Sequence, residues 1–190
     1  GMLTGCGGGN DKEMYRIGIV QLVSHGAGEA AADGFKQALL DSGLVEGETV
    51  TFIEQNGQNE QSNLEIIAQS FISEDVGLIC AVSTSTAQVM AAATDEIPIV
   101  GTAITNYEET RLVESNEAPG YNVTGTSDQN PIEKQGELLL DLVPDAKNVG
   151  IVYNASEVNS QLQVANMTAY MQSRNVTVVE STFADINHMQ

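Results

Sequence analysis

Residues 15–23 read YRIGIVQLV, a short apolar run rich in β-branched side chains that is typical of a buried parallel strand. Apolar residues with helical spacing follow at 27–42, and Gly43 ends that predicted helix. The same alternation continues with predicted strands at 50–54, 77–82 and 97–101 and predicted helices at 64–72 and 85–94. Strands that alternate with helices of this length indicate βαβ units. We therefore predict an α/β fold with parallel sheets flanked by helices.

An internal repeat indicates two similar α/β lobes. Residues 17–20 (IGIV) return as 149–152 (VGIV), 132 positions later. Residues 50–54 (VTFIE) return as 176–180 (VTVVE), 126 positions later, and a helical pattern separates the two strands in both copies. Two matches in the same order are better evidence than one match between apolar strands. Between the copies, the acidic segment 106–120 predicts a surface loop.

The repeat divides the chain into three predicted segments: a flexible tether at 1–13, a first lobe at 14–125 and a second lobe at 126–190. A lobe of this class needs about 100–150 residues. The segment at 126–190 has only 65 residues, so we expect the second lobe to be truncated at its carboxyl end. A longer chain, or a second copy in a swapped homodimer, would then complete its sheet.

Charge excludes two classes of partner. The chain has seven Lys and Arg residues against 26 Asp and Glu residues, a net charge of −19 at neutral pH. Nucleic-acid binding requires basic residues that displace phosphate counterions, and binding to anionic lipid requires a basic surface. We therefore expect neither, and contact with a membrane only through a lipid anchor.

The two cysteines predict different roles. Cys80 lies in the apolar run at 76–82 and is predicted to be a small buried hydrophobic residue. Cys6 follows Leu-Thr-Gly and precedes a Gly-rich stretch, which resembles the lipobox at which bacterial lipoproteins are cut and lipidated. The alternative is a flexible Gly-rich terminus whose cysteine has no such role. Lipidation of Cys6 would hold an extracytoplasmic protein at the bacterial cell membrane.

Polar loops follow several predicted strands at the edge where parallel sheets bind ligands. These loops offer hydroxyl and amide groups, and several begin helices whose free N–H groups favour an anion. The same residues could instead serve only as helix caps. The candidate residues in these loops are Ser24, His25, Ser83, Thr84, Ser85, Thr86, Ala103, Thr105, Asn154, Ser156, Glu157, Asn159 and Ser160. Their convergence on one edge favours a polar cleft for a small molecule.

A dinucleotide site is an alternative that the sequence leaves open. Residues 26–31 (GAGEAA) fit G-x-G-x-x-A after a strand, and Glu54 ends the next strand, as in Rossmann-type NAD(P)-binding oxidoreductases. The motif is weak alone, because Ser24 and His25 separate it from the strand. Motifs for a P-loop, a zinc site or a serine hydrolase are absent, and two histidines exclude a His-rich metal site. We expect no catalytic residues, no metal and no cofactor.

Four segments resemble one family of proteins. They are residues 15–26 (YRIGIVQLVSHG), 56–64 (NGQNEQSNL), 122–128 (NVTGTSD) and 144–154 (PDAKNVGIVYN). They are similar to the substrate-binding lipoproteins of ABC transporters, of the type that binds tryptophan and other aromatic amino acids and has the type I periplasmic-binding-protein fold. The resemblance extends from about residue 14 to the end of the chain.

The resemblance implies two Rossmann-like lobes that close by a hinge on an amino acid and deliver it to an ABC permease. It adds Ser127 and Asp128 to the cleft residues. By position, Ser85, Thr86 and Thr105 would hold the ligand carboxylate, and Glu157 or Asp128 would face its ammonium group. A ligand-sensing domain of a transcriptional regulator has the same fold and is a third alternative, which the lipobox-like start disfavours.

Overall fold

Strands and helices alternate along the chain in the computed structural model, which describes residues 14–183. The elements are β1 (Tyr15–Gln21), α1 (Gly26–Asp41), β2 (Val50–Asn56), α2 (Gln61–Ser73), β3 (Leu78–Val82), α3 (Thr84–Ala93), β4 (Ile99–Ile104), β5 (Val123–Ser127), α4 (Ile132–Leu142), β6 (Asn148–Asn154), α5 (Val158–Ser173) and β7 (Thr177–Phe183). The predicted α/β class is confirmed. Cys6 and the tether at 1–13 lie outside the described residues.

The first sheet has five parallel strands in the order β2-β1-β3-β4-β5. One face packs on α1 through a small cluster that includes Ile19, Ala32 and Cys80. The other face packs on α2 and α3 through a larger cluster that includes Phe71 and Met90. Because β1 and β3 are covered on both faces, their side chains form a near-continuous apolar run. Their carboxyl ends therefore open on one shared edge.

The second sheet has two parallel strands, β6 and β7, which α4 and α5 accompany. The register of this pair repeats the register of the first pair. Gly18 of β1 faces Ile53 of β2, and Gly150 of β6 faces Val179 of β7. Both equivalences follow the offsets of 132 and 126 positions seen in the sequence. The repeat in the sequence therefore corresponds to a repeat in the structure.

The two repeats differ in how their sheets are covered. A Cβ atom on Gly18 would meet the ring of Phe71 at 2.7 Å, whereas a Cβ atom on Gly150 would meet no atom within 4 Å. Val20 is fully buried, but the equivalent Val152 is 61% exposed. The face of β6 that corresponds to the α2 side of β1 is thus uncovered in the described residues. Those residues, 14–183, include no helix that is long and apolar enough to span a membrane.

The segment 106–120 forms part of the core, so the prediction of a surface loop was wrong for several of its residues. Tyr107, Leu112 and Val113 are buried against the α2 and α3 side of the first sheet. The hydroxyl of Tyr107 lies 2.8 Å from the carbonyl oxygen of Gly101 in β4 and 3.1 Å from that of Thr126 in β5. The acidic side chains of the segment remain exposed around these apolar anchors.

Candidate functional site

A cavity of about 270 Å³ lies at the carboxyl edge of the first sheet, where the second repeat approaches it. It contains polar groups from both parts of the chain and an apolar floor from the strand ends. Its lining residues are Gln21, Leu22, Val23, His25, Ala27, Gly28, Val82, Ser83, Thr84, Ser85, Ala103, Asp128, Glu157 and Asn159. This is the edge at which open parallel sheets bind their ligands.

The amino end of α3 faces this cavity with unused hydrogen-bond donors. Ser83 precedes the helix with a φ of 91°, and its side chain makes no capping hydrogen bond. The first hydrogen bond of the helix runs from the N–H of Ala87 to the carbonyl of Ser83. The N–H groups of the first turn, together with the helix dipole, therefore favour an anion at this point.

Thr84, the first residue of α3, carries a hydroxyl group without a partner. The residue is only 3% exposed, and its Oγ1 atom is buried without a hydrogen bond. Most buried hydroxyl groups in proteins are paired, because burial without a partner costs about 1–3 kcal/mol. Thr84 therefore lines the cavity and has a hydroxyl group that makes no hydrogen bond among the described residues.

Gln21 presents a second unpaired polar atom in the same lining. Its Oε1 atom is buried without a hydrogen-bond partner. A Cβ atom on Gly28, in the first turn of α1, would lie 3.0 Å from this oxygen and 3.1 Å from Nε2 of His25. Gly28 is therefore closely packed against Gln21 and His25, and a larger residue at this position would have to displace one of the two side chains.

His25 has a structural role at the start of α1. Its Nδ1 atom accepts a hydrogen bond of 3.2 Å from the N–H of Gly28. The imidazole therefore caps the helix in a form in which Nδ1 carries no proton. Because this cap already uses the N–H of Gly28, the turn that contains the G-x-G-x-x-A motif is partly closed to a pyrophosphate group.

Two carboxylates reach the cavity from the chain beyond β5. Asp128 follows β5, and its N–H donates to the carbonyl oxygen of Ile104 at 3.1 Å. Glu157 precedes α5 and accepts hydrogen bonds of 3.2 Å from the Nδ2 atom of Asn154 and the hydroxyl of Ser160. These contacts fix the direction of the Glu157 side chain. The cavity thus combines a donor-rich helix end with two acidic groups.

The remaining sequence candidates lie outside this lining. The hydroxyl of Ser24 accepts a hydrogen bond from Asn56 at 2.8 Å, and Ser127 donates to the carbonyl of Thr105 at 2.7 Å. Thr86 is fully buried, with its hydroxyl 2.9 Å from that of Ser83. Asn154 and Ser156 form a turn with each other, and Ser160 lines another cavity between α4 and α5.

Sequence reasoning missed six lining residues, which come from the end of β1, the first turn of α1 and the end of β3. They are Gln21, Leu22, Val23, Ala27, Gly28 and Val82. One signal was available, because Gln21 is a single polar residue in the otherwise apolar run at 17–23.

Comparison with known proteins identifies the family. The family described as ABC transporter substrate binding protein matches residues 16–190. The chain belongs to this family. Substrate-binding proteins of this family act by binding, and the fold is that of type I periplasmic binding proteins, with parallel sheets flanked by helices. The resemblance seen in the sequence is therefore confirmed.

Three relatives of this substrate-binding protein are informative. A tyrosine-binding protein from Clostridioides difficile (strain R20291) is 42% identical over 201 residues, which cover 98% of this chain and 58% of the relative. The structure of an ABC domain in complex with L-Trp from Streptococcus pneumoniae is 31% identical, with a TM-score of 0.87 over 93% of this chain and 60% of that one. The ligand-free, open structure of a substrate-binding protein with adhesive properties from Clostridium difficile is 41% identical, with a TM-score of 0.70 over 92% and 59%. The substrate-binding chain thus spans somewhat more than half the length of these relatives.

Proposed function

We propose that this substrate-binding protein captures an amino acid, an aromatic one such as tryptophan or phenylalanine, and delivers it to the permease of an ABC importer. The site lies in the cavity between the first sheet and the second repeat, and the two lobes close on the ligand by a hinge. The names of two relatives support the aromatic class, since one is a tyrosine-binding protein and another holds L-Trp.

The proposal rests on one observation: the same cavity is lined by hydrogen-bond donors, which suit an anion, and by carboxylates, which suit a cation. The free N–H groups of α3 and the unpaired hydroxyl of Thr84 suit a carboxylate. Asp128 and Glu157 suit an ammonium group. A free amino acid carries both charged groups on one carbon atom, so it complements this arrangement. The apolar lining from Val82 and Ala103 leaves room for its side chain.

The geometry refines the expected carboxylate contacts. Ser85 stays in this role because it lines the cavity beside the helix end. We propose Thr84 in place of Thr86, since Thr86 does not line the cavity and its hydroxyl lies 2.9 Å from that of Ser83. The carbonyl group of Thr105 accepts a hydrogen bond from Ser127 at the end of β5. We therefore propose that Thr105 supports the site without contacting the ligand.

Two features count against the oxidoreductase alternative. The N–H of Gly28, which a pyrophosphate would need, already donates to His25. Asp128 and Glu157 would also repel a dinucleotide phosphate placed in the cavity. We therefore propose a binding protein without catalytic residues or a cofactor. A lipid on Cys6 would hold it outside the cytoplasmic membrane, near its permease, and the swapped homodimer stays a prediction.

The proposal can be tested with a Thr84→Val variant of the natural full-length protein. Valine keeps the shape of threonine and removes only the hydroxyl that we place on the ligand carboxylate. We expect calorimetric titration with the twenty amino acids to detect binding of an aromatic one by the wild type. We expect the dissociation constant to rise by about tenfold or more in the variant, because a hydrogen bond to a charged group is lost.

Thr168→Val is the matched control. The Oγ1 atom of Thr168, in α5, is also buried without a partner, but Thr168 does not line the cavity. Both variants remove an unpaired buried hydroxyl, so neither should lower the free energy of unfolding of the ligand-free protein. Absence of binding for all twenty amino acids would refute the proposed function. Equal affinities in the wild type and the Thr84 variant would refute the assignment of the carboxylate site.

A further inference from the structure

Glu157 occupies the same place in the second repeat that His25 occupies in the first. It lies 132 positions after His25, which is the offset of the repeated strand, and each residue immediately precedes a helix. The imidazole of His25 caps its own helix, whereas the carboxylate of Glu157 makes no such capping bond. The Glu157 side chain is therefore not used by the backbone of α5, and neighbouring side chains hold it instead.

Asn154, the last residue of β6, has a side-chain amide whose orientation is fixed by its neighbours. Its Oδ1 atom accepts hydrogen bonds from the backbone N–H of Ser156 at 3.0 Å and from the Ser156 hydroxyl at 2.7 Å. A backbone N–H can only donate, so the atom that faces it is the amide oxygen. The Nδ2 atom is thereby left to donate to Oε1 of Glu157 at 3.2 Å.

The second carboxylate oxygen of Glu157 has a donor of its own. The hydroxyl of Ser160, in the first turn of α5, donates to Oε2 at 3.2 Å. A carboxylate offers about four acceptor positions, so these two bonds hold the group and leave positions free for a ligand. Glu157 lines the cavity, but Asn154 and Ser160 do not. Asn154 can therefore act on a bound molecule only through Glu157.

We infer that Asn154 is a positioning residue, which holds the carboxylate of Glu157 at the cavity for the ammonium group of the ligand. The inference rests on the proposed function, since it concerns the same site. Glu157 is only half-buried, so without the Nδ2 donor its flexible side chain can turn to solvent. Ordering such a side chain when the ligand binds costs conformational free energy, and Asn154 lowers this cost by ordering it beforehand.

Asn154→Asp is the variant that tests this role most selectively. The aspartate keeps an oxygen for the N–H of Ser156, so the turn is retained, but a carboxylate that repels Glu157 replaces the donor. Calorimetric titration of the natural full-length protein would use phenylalanine, tyrosine and tryptophan, and the analogue of each in which hydrogen replaces the amino group. We expect the amino acid to bind about tenfold more weakly, and its analogue to change by less than about twofold.

Asn56→Asp is the matched control. Asn56 ends β2, the edge strand of the first sheet, and its Oδ1 atom accepts from the N–H two residues further on, that of Gln58, at 2.7 Å. The turn is therefore of the same kind, and the substitution adds the same charge, but Asn56 does not line the cavity. Binding of the amino acid and of its analogue should both be unchanged.

A double variant separates positioning from a general effect on the loop. In a Glu157→Gln background, Asn154→Asp should weaken binding of the amino acid by less than about twofold further, because the carboxylate through which Asn154 acts is gone. The same tenfold loss in that background would overturn the inference. Unchanged binding in Asn154→Asp, or equal weakening of the amino acid and its analogue, would overturn it as well. A wild type that binds none of the three amino acids would instead refute the proposed function, and this inference with it.

Discussion

Cys80 lies in the middle of β3, fully buried against Ile19 and Ala32 on the α1 side of the sheet. Burial raises the pKa of its thiol from 9.0 to about 12, because the thiolate would be desolvated there. The thiol is therefore a packing group in the described structure, as its apolar surroundings in the sequence predict. Its titration has a consequence for stability at alkaline pH.

We expect the free energy of unfolding to fall as the pH rises above 9.0, and less steeply in Cys80→Ala. Above this pH the unfolded chain loses the thiol proton while the folded protein retains it up to about pH 12. Stability from this group is therefore complete below pH 9.0 and is lost toward pH 12, by at most about 1.4 kcal/mol per pH unit. Urea unfolding of both proteins at several values between pH 8 and 11 measures the difference in slope. Parallel pH profiles would contradict the expectation.

Some features of the candidate site could be predicted from the sequence, and others depend on the folded structure. The polar loop at 83–86 follows a predicted strand, so its place at the cavity could be predicted from the order of elements. Which of these residues line the cavity could not be predicted, because successive helical residues point about 100° apart. Thr84 therefore lines the cavity while Thr86 turns toward Ser83. Gln21 depends in the same way on a tertiary neighbour, the first turn of α1.

The pairing between strands β4 and β5 depends on a side chain that belongs to neither strand. Gly125 has a φ of 157°, which residues with a side chain rarely adopt, and a Cβ atom there would overlap the carbonyl of Gly101 and the hydroxyl of Tyr107. Burial, with a smaller contribution from Asp128, holds the pKa of Tyr107 well above its ordinary value. The Tyr107 hydroxyl therefore remains a donor to the strand carbonyls at neutral pH.

Tyr107→Phe should lower the free energy of unfolding by about 1–3 kcal/mol, because it removes the donor to the buried carbonyl of Gly101 and to the carbonyl of Thr126. Hydrogen exchange should become faster for the amides of Val123–Ser127, which pair with β4. Tyr121→Phe is the control, since Tyr121 is 60% exposed. Equal stabilities of the two variants would show that the Tyr107 hydroxyl does not hold this pairing.

Most elements of the sheet could be predicted, because buried parallel strands and amphipathic helices have distinct apolar periods. The core segment at 106–120 could not. Tyr107, Leu112 and Val113 follow neither period, and the acidic residues around them are typical of a loop. Their burial depends on apolar side chains of the sheet, α2 and α3, which come together only in the folded lobe.

At the scale of the whole molecule, the repeat could be predicted but the approach of its two copies could not. Local apolar patterns specify β1-α1-β2 and β6-α5-β7 separately, and the matching registers confirm that relation. The position of Asp128 and Glu157 at the cavity depends on the crossover after β5. Two hydrogen bonds fix the start of this connection. Ser127 donates to the carbonyl oxygen of Thr105, and the N–H of Asp128 donates to the carbonyl oxygen of Ile104.

The structure as a whole is more similar to a ligand-bound relative than to an open one. The TM-score is 0.87 against the complex with L-Trp and 0.70 against the ligand-free, open structure, although the open relative is the more similar in sequence. We therefore expect the ligand-free natural full-length protein to be more extended in solution, and the ligand to compact it. Small-angle X-ray scattering with and without the bound amino acid measures this change in the radius of gyration.

The predicted compaction by the ligand can also be tested by mutating the two carboxylates that line the cavity. Asp128 and Glu157 both line the cavity, so under the proposed function the ammonium group of the ligand binds to both of them as the lobes close. The double variant Asp128→Asn with Glu157→Gln should weaken binding by about tenfold or more and reduce the ligand-induced compaction at a fixed ligand concentration. Glu137→Gln with Asp145→Asn removes the same charge at exposed positions away from the cavity and should leave compaction intact. Equal compaction in both double variants would mean that closure does not depend on these two carboxylates, and that the contacts of the ligand with α3 drive it instead.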